Sequence, residues 1–85
     1  MMMYKNYPLV RKDNEMYLGY MSDPYVIYLK VEKAQKQQDI MVSKTIRLYQ
    51  MATDMNSMPV QTAERDNLYE ALDVALAWLK RANRA

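Results

Sequence analysis

The 85-residue chain has no cysteine, no histidine and no phenylalanine, and its single glycine is Gly19. Without cysteine there is no disulfide framework, zinc knuckle, iron–sulfur cluster or thiol nucleophile. Without histidine the Ser-His-Asp triad, most metal sites and the usual general base are gone. One glycine cannot build a Walker A or GxGxxG phosphate loop. Nowhere does an apolar run approach the ~20 residues of a membrane span. The opening Met1-Met2-Met3-Tyr4-Lys5 lacks the apolar core of a secretion signal, so the expectation is a cytoplasmic protein off the membrane. Twelve Lys and Arg stand against ten Asp and Glu, a net +2, too mild a charge to announce a nucleic-acid partner by itself.

What remains is enough to fold. The chain is 51% hydrophobic and 26% charged, a composition that buries a core, and its length allows one domain, residues 1–85. Its two parts differ in kind. Residues 1–53 hold Tyr4, Tyr7, Tyr17, Tyr20, Tyr25, Tyr28 and Tyr49, and tyrosine suits a pleated, half-buried surface. Residues 54–85 are rich in alanine and leucine, which favour helix. The three leading methionines are expected to stay outside the fold.

Turn signals divide the first part into four strands. Tyr7 to Lys12 is the first, placed at a sheet edge or beginning there because Pro8 has no N–H to donate. Asp13-Asn14 turns the chain into a second strand, Glu15 to Met21. Ser22-Asp23-Pro24 leads to a third, Tyr25 to Lys33, and a polar stretch after it to a fourth, Ile40 to Met51. Residues 52–61 read as a loop and 62–83 as a helix. Thr62 could cap an early start, and Asn67, with Glu70 three residues on, a later one. Leu68, Leu72, Ala75, Leu79 and Ala82 recur at helical spacing. The predicted fold is α+β: a four-stranded antiparallel β-meander, residues 7–51, with one C-terminal α-helix packed on one face.

Parity sorts the strand residues onto two faces. Met16, Leu18, Tyr20, Tyr25, Ile27, Leu29, Val31, Val42, Ile46 and Leu48 share the side expected under the helix. Lys44 has the same parity, which predicts a bulge at Ser43-Lys44 that turns it to water. Tyr17, Gly19, Met21, Val26, Tyr28, Lys30, Thr45, Arg47 and Tyr49 fall on the other side, which the single helix cannot cover. A surface so rich in tyrosine, with Val26, Met21, Lys30 and Arg47 beside it, is amphipathic, and monomers seldom leave large patches of that kind open.

Three uses of that face follow. It stabilises the sheet through cross-strand tyrosine pairs; it meets a second copy or another protein; or it stacks single-stranded RNA or DNA bases on Tyr17, Tyr28 and Tyr49 beside Arg11, Lys30 and Arg47. Residues 1–53 carry eight basic and five acidic side chains, a weak field for the last use, and no RRM signature is present. Catalysis has little to work with. Asp66, Glu70 and Asp73 lie at helical spacings but read as solvated charges complementing the helix dipole, with no third ligand for a metal. The expectation is a non-catalytic interaction module without cofactor or metal, self-associating as a dimer through Tyr17, Tyr28, Tyr49, Lys30, Arg47, Val26 and Met21. Single-strand binding by the same face is the alternative.

Pro8-Leu9-Val10-Arg11-Lys12, Tyr17-Leu18-Gly19, and Leu68-Tyr69-Glu70-Ala71-Leu72-Asp73 with Trp78-Leu79 together resemble a family of small bacterial proteins without an assigned activity. The resemblance implies a bacterial or phage cytoplasmic protein and assigns no site residue.

Overall fold

A computed structural model describes residues 2–35 and 42–84, so the predicted fourth-strand start at Ile40 lies outside the described residues. Six strands precede the helix: β1 Met2–Tyr4, β2 Tyr7–Lys12, β3 Glu15–Leu18, β4 Tyr25–Gln35, β5 Val42–Ala52 and β6 Gln61–Arg65, then α1 Leu68–Ala82. They form one antiparallel sheet in the order β1-β2-β3-β4-β5-β6. The architecture is the expected α+β meander with a C-terminal helix, but the sheet has six strands, not four.

Both added strands are short and lie at the edges. The leading methionines are not left outside: Lys5 and Asn6 take positive φ, 46° and 75°, the primed turn that suits a two-residue hairpin, and β1 folds back with Met3 opposite Pro8. Consequently β2 is not an edge strand. Pro8 is tolerated because its carbonyl accepts from Gly19 N–H at 3.0 Å, and a strand residue's N and C=O point the same way. Its missing donor therefore faces the place where β3 has already ended. At the other edge, Gln61–Arg65 lies within the stretch read as loop and early helix. It pairs along β5 from Ile46↔Arg65 to Gln50↔Gln61.

The helix takes the later of its two predicted starts. Asn67 Oδ1 accepts from the N–H groups of Tyr69 at 2.8 Å and Glu70 at 3.2 Å, satisfying two donors that the first turn leaves unpaired. Thr62 sits in β6 instead. At the far end Asn83 caps the helix and reaches β4. Its Oδ1 accepts from Tyr25 N–H at 3.0 Å, and its Nδ2 donates to the Tyr25 carbonyl at 3.1 Å.

Core residues follow the predicted parity. Met16, Leu29 and Leu48 lie abreast on β3, β4 and β5, as do Leu18 and Ile27 beside them, and all are closed off by Leu72, Ala75 and Leu79 of the helix. Gln50 has this parity too and is buried, its Oε1 accepting from Gln61 Nε2 at 2.7 Å. Two residues depart from the expectation. β3 stops at Leu18, so Tyr20 leaves the sheet; it is exposed and donates its hydroxyl to the Asn6 carbonyl at 3.0 Å. Lys44 is exposed without a bulge: the β4–β5 register runs unbroken through Lys33↔Lys44 to Gln35↔Val42. Among the residues of this hairpin whose burial is described, Val31 and Ile46 are the outermost in the core, and Lys33 and Lys44 beyond them are exposed.

Candidate interaction surface

The face opposite the helix is organised in rows that cross the strands. Antiparallel pairing sets Val10, Tyr17, Tyr28, Tyr49 and Thr62 side by side across β2 to β6. The next row is Lys12, Glu15, Lys30, Arg47 and Glu64. On the other flank of the tyrosines lie Pro8, Gly19, Val26 and Met51, joined by Val60, whose N–H extends the β5–β6 pairing by donating to the Gln50 carbonyl at 2.9 Å.

The tyrosine rings lie against one another. Tyr17 and Tyr28 have centroids 5.1 Å apart at 37°, and Tyr28 and Tyr49 5.5 Å apart at 29°. Such offset pairs contribute about 0.5–1.5 kcal/mol each beyond the area they bury. Tyr17 is exposed, while Tyr28 and Tyr49 are half-buried. The Tyr28 hydroxyl donates to Glu15 Oε1. Burial, that hydrogen bond and the nearby Glu15 charge all disfavour the phenolate, so Tyr28 ionises well above its ordinary value.

The charged row is largely compensated within the chain. Arg47 Nε lies 3.0 Å from Glu32 Oε2, and Nη1 lies 2.8 Å from Glu64 Oε1. The Glu32 hydrogen bond, followed by the Glu64 charge, raises the Arg47 pKa and keeps the guanidinium ionised. Both bridges are partly exposed and contribute little to stability; their effect is to spread the arginine flat over β4, β5 and β6.

The predicted residues therefore separate. Tyr17, Tyr28, Tyr49, Lys30 and Arg47 form one contiguous patch. Val26 shares the face by register but is fully buried, so it offers no contact to a partner. Met21 lies beyond the end of β3, 61% exposed. With Val10, Tyr17, Gly19 and Met55 it lines an open, mainly apolar hollow of ≈ 570 Å³. Val10, Met55, Val60 and Glu64 belong to the surface and were absent from the sequence reading; Val60 and Glu64 could be placed only by knowing that β6 exists. A shallower polar hollow of ≈ 330 Å³ lies at Thr45, Glu64, Arg65 and Asp66. Among the described residues no group of three carboxylates could hold a metal ion. Nor, among the described residues, is any helix long and apolar enough to cross a membrane.

Comparison with protein-family models, curated proteins and solved structures returned no match. Any functional reading therefore starts from the surface itself.

Proposed function

We propose that the chain is a non-catalytic interaction module that self-associates through the face opposite the helix. The observation that carries this reading is the Tyr17–Tyr28–Tyr49 row: three aromatic rings in mutual contact, bordered by the apolar hollow on one side and charged residues on the other. An apolar aromatic centre with a polar rim is the common anatomy of a protein interface, and tyrosine is enriched there because its hydroxyl still finds a partner. A second layer would also enlarge the core of a domain whose size leaves little stability in reserve.

Single-strand binding has less support. Bases stack on aromatic faces turned to solvent, whereas these rings pack against one another with centroids 5.1 and 5.5 Å apart. Phosphates need uncompensated cations, whereas Arg47 is engaged by two glutamates.

Light scattering over a micromolar concentration series tests the proposal. The wild-type mass should rise from 10.1 kDa toward twice that value. Tyr28→Glu, which sets a charge at the centre of the contact, should hold it at the monomer while the helical circular dichroism persists. A constant monomer mass in the wild type overturns self-association. Salt-sensitive binding to a homopolymer by that monomer would assign the face to single-stranded nucleic acid instead.

A further inference from the structure

The rows on the open face are complementary to themselves. Rotation by 180° about a line parallel to β4 and just above it would lay β3 of one copy over β5 of the other, and β2 over β6, while keeping each row over its own row. In the charged row Glu15 then faces the partner's Arg47, and Lys12 faces the partner's Glu64. In the tyrosine row Tyr17 faces the partner's Tyr49, and Tyr28 meets its own mate. In the third row Gly19, which has no side chain and borders the apolar hollow, faces the partner's Met51. Charge thus meets opposite charge at two symmetric positions, and a hollow meets a side chain.

The other in-plane axis fails on the same residues. A two-fold running across the strands lays every strand over itself. Placed at the charged row, it sets Lys12, Glu15, Arg47 and Glu64 each against its own like charge. Placed at the tyrosine row, it lays the charged row over Pro8, Val26 and Met51. The first arrangement opposes like charges along the whole row, and the second buries that row against apolar side chains.

Resting on the self-association reading, we propose that the partner is a second copy docked face to face about an axis parallel to β4, with Glu15 and Arg47 as the register-setting contact between chains. Aligned sheets cross at about 30°. With strands ~4.8 Å apart, that rotation displaces the β3-over-β5 contacts by roughly 3 Å along the strand, less than half of the ~7 Å between rows. The Glu15–Arg47 contact survives this displacement, and the outer Lys12–Glu64 contact is less tightly specified. Glu32 and Glu64 engage Arg47 through Nε and Nη1, which leaves Nη2 for the partner's Glu15. Lys30 lies on the axis and meets the partner's Lys30, a like-charge contact that Glu15 of its own chain, opposite in register, offsets.

The experiment is a charge exchange read by sedimentation velocity. Glu15→Lys and Arg47→Glu should each weaken self-association by roughly tenfold or more, because each sets like charges together twice in the dimer. An equimolar mixture of the two variants should associate with near wild-type affinity. In that mixed dimer the introduced lysine faces the introduced glutamate, and the unchanged Arg47 of one chain faces the unchanged Glu15 of the other. A wild type that stays monomeric overturns the self-association reading and this geometry with it. A dimeric wild type whose association neither variant weakens, or a mixture that fails to recover it, overturns the geometry alone. Should Arg47→Glu unfold, spin labels answer the same question in a chain with no other cysteine. Lys12→Cys mixed with Glu64→Cys should give a shorter interchain distance than Lys12→Cys with itself, and the reverse order overturns the axis.

Discussion

Gly19 and Leu79 approach so closely that a Cβ on Gly19 would lie 3.1 Å from Leu79 Cδ2 and 3.3 Å from Val26 Cγ1, and both side chains would have to give by a few tenths of an ångström to admit it. The same residue has φ +125°, a conformation that L side chains rarely adopt. The end of β3 and the helix packing thus depend on one missing side chain. Gly19→Ala should lower stability by about 1–3 kcal/mol through backbone strain and displacement of the leucine. For a domain of this size that is a fall of roughly 4–8 °C in Tm per kcal/mol. A thermal melt that does not move would show that the chain leaves β3 without strain.

Leu29 lies between Met16 on β3 and Leu48 on β5 and is fully buried. Leu29→Ala removes its side-chain atoms where neither flanking strand can close the gap. The expected loss is about 2–5 kcal/mol, a large share of what a domain this small possesses. Urea unfolding should show a midpoint far below the wild type, with much of the variant unfolded at 37 °C. A cooperative transition near the wild-type midpoint would mean that the core rearranges around the deletion.

Tyr28 ionises above the ordinary tyrosine value of 10.0 because it is half-buried and donates to Glu15. The unfolded chain loses this proton first. The stabilising contribution is therefore complete below about pH 10 and declines as pH rises from there toward the folded-state value. Urea midpoints measured between about pH 8 and pH 11 should fall more steeply for the wild type than for Tyr28→Phe, which has no phenolic proton to lose. Equal slopes would show that the hydroxyl is not held by Glu15 in solution.

Much of this architecture was legible because apolar alternation and turn chemistry agree. Tyr7–Lys12 has its predicted bounds, the β4 and β5 pairing follows the predicted faces, and Asn67 caps the helix. β6 was not legible because Gln61-Thr62-Ala63-Glu64-Arg65 carries no apolar alternation and includes good helix formers; it becomes a strand by pairing with the edge of β5, a tertiary effect that propensity does not record. β1 was missed because three methionines carry no turn signal, and the signal lies in Lys5-Asn6 after them. The tyrosine patch was found from parity alone. The Arg47–Glu64 bridge was hidden for the same reason as β6, and the burial of Val26 because alternation places a residue on a face without showing what lies over it.

Every strand pairs with its neighbour in sequence, and the helix comes after all of them. As the chain leaves the ribosome, hairpins can therefore form in order, each closing only a short loop. The cover for Met16, Leu18, Ile27, Leu29 and Leu48 is synthesised after the whole sheet. For the time taken to translate and thread out residues 68–82, the finished sheet has both of its apolar sides in water. That interval is the chain's exposure to misassembly: nascent copies on one message could meet through the side meant for the helix as well as through the tyrosine side. Synthesis rate across this helix thus becomes a variable in the yield of folded protein, although the helix contributes no residue to the proposed contact between copies.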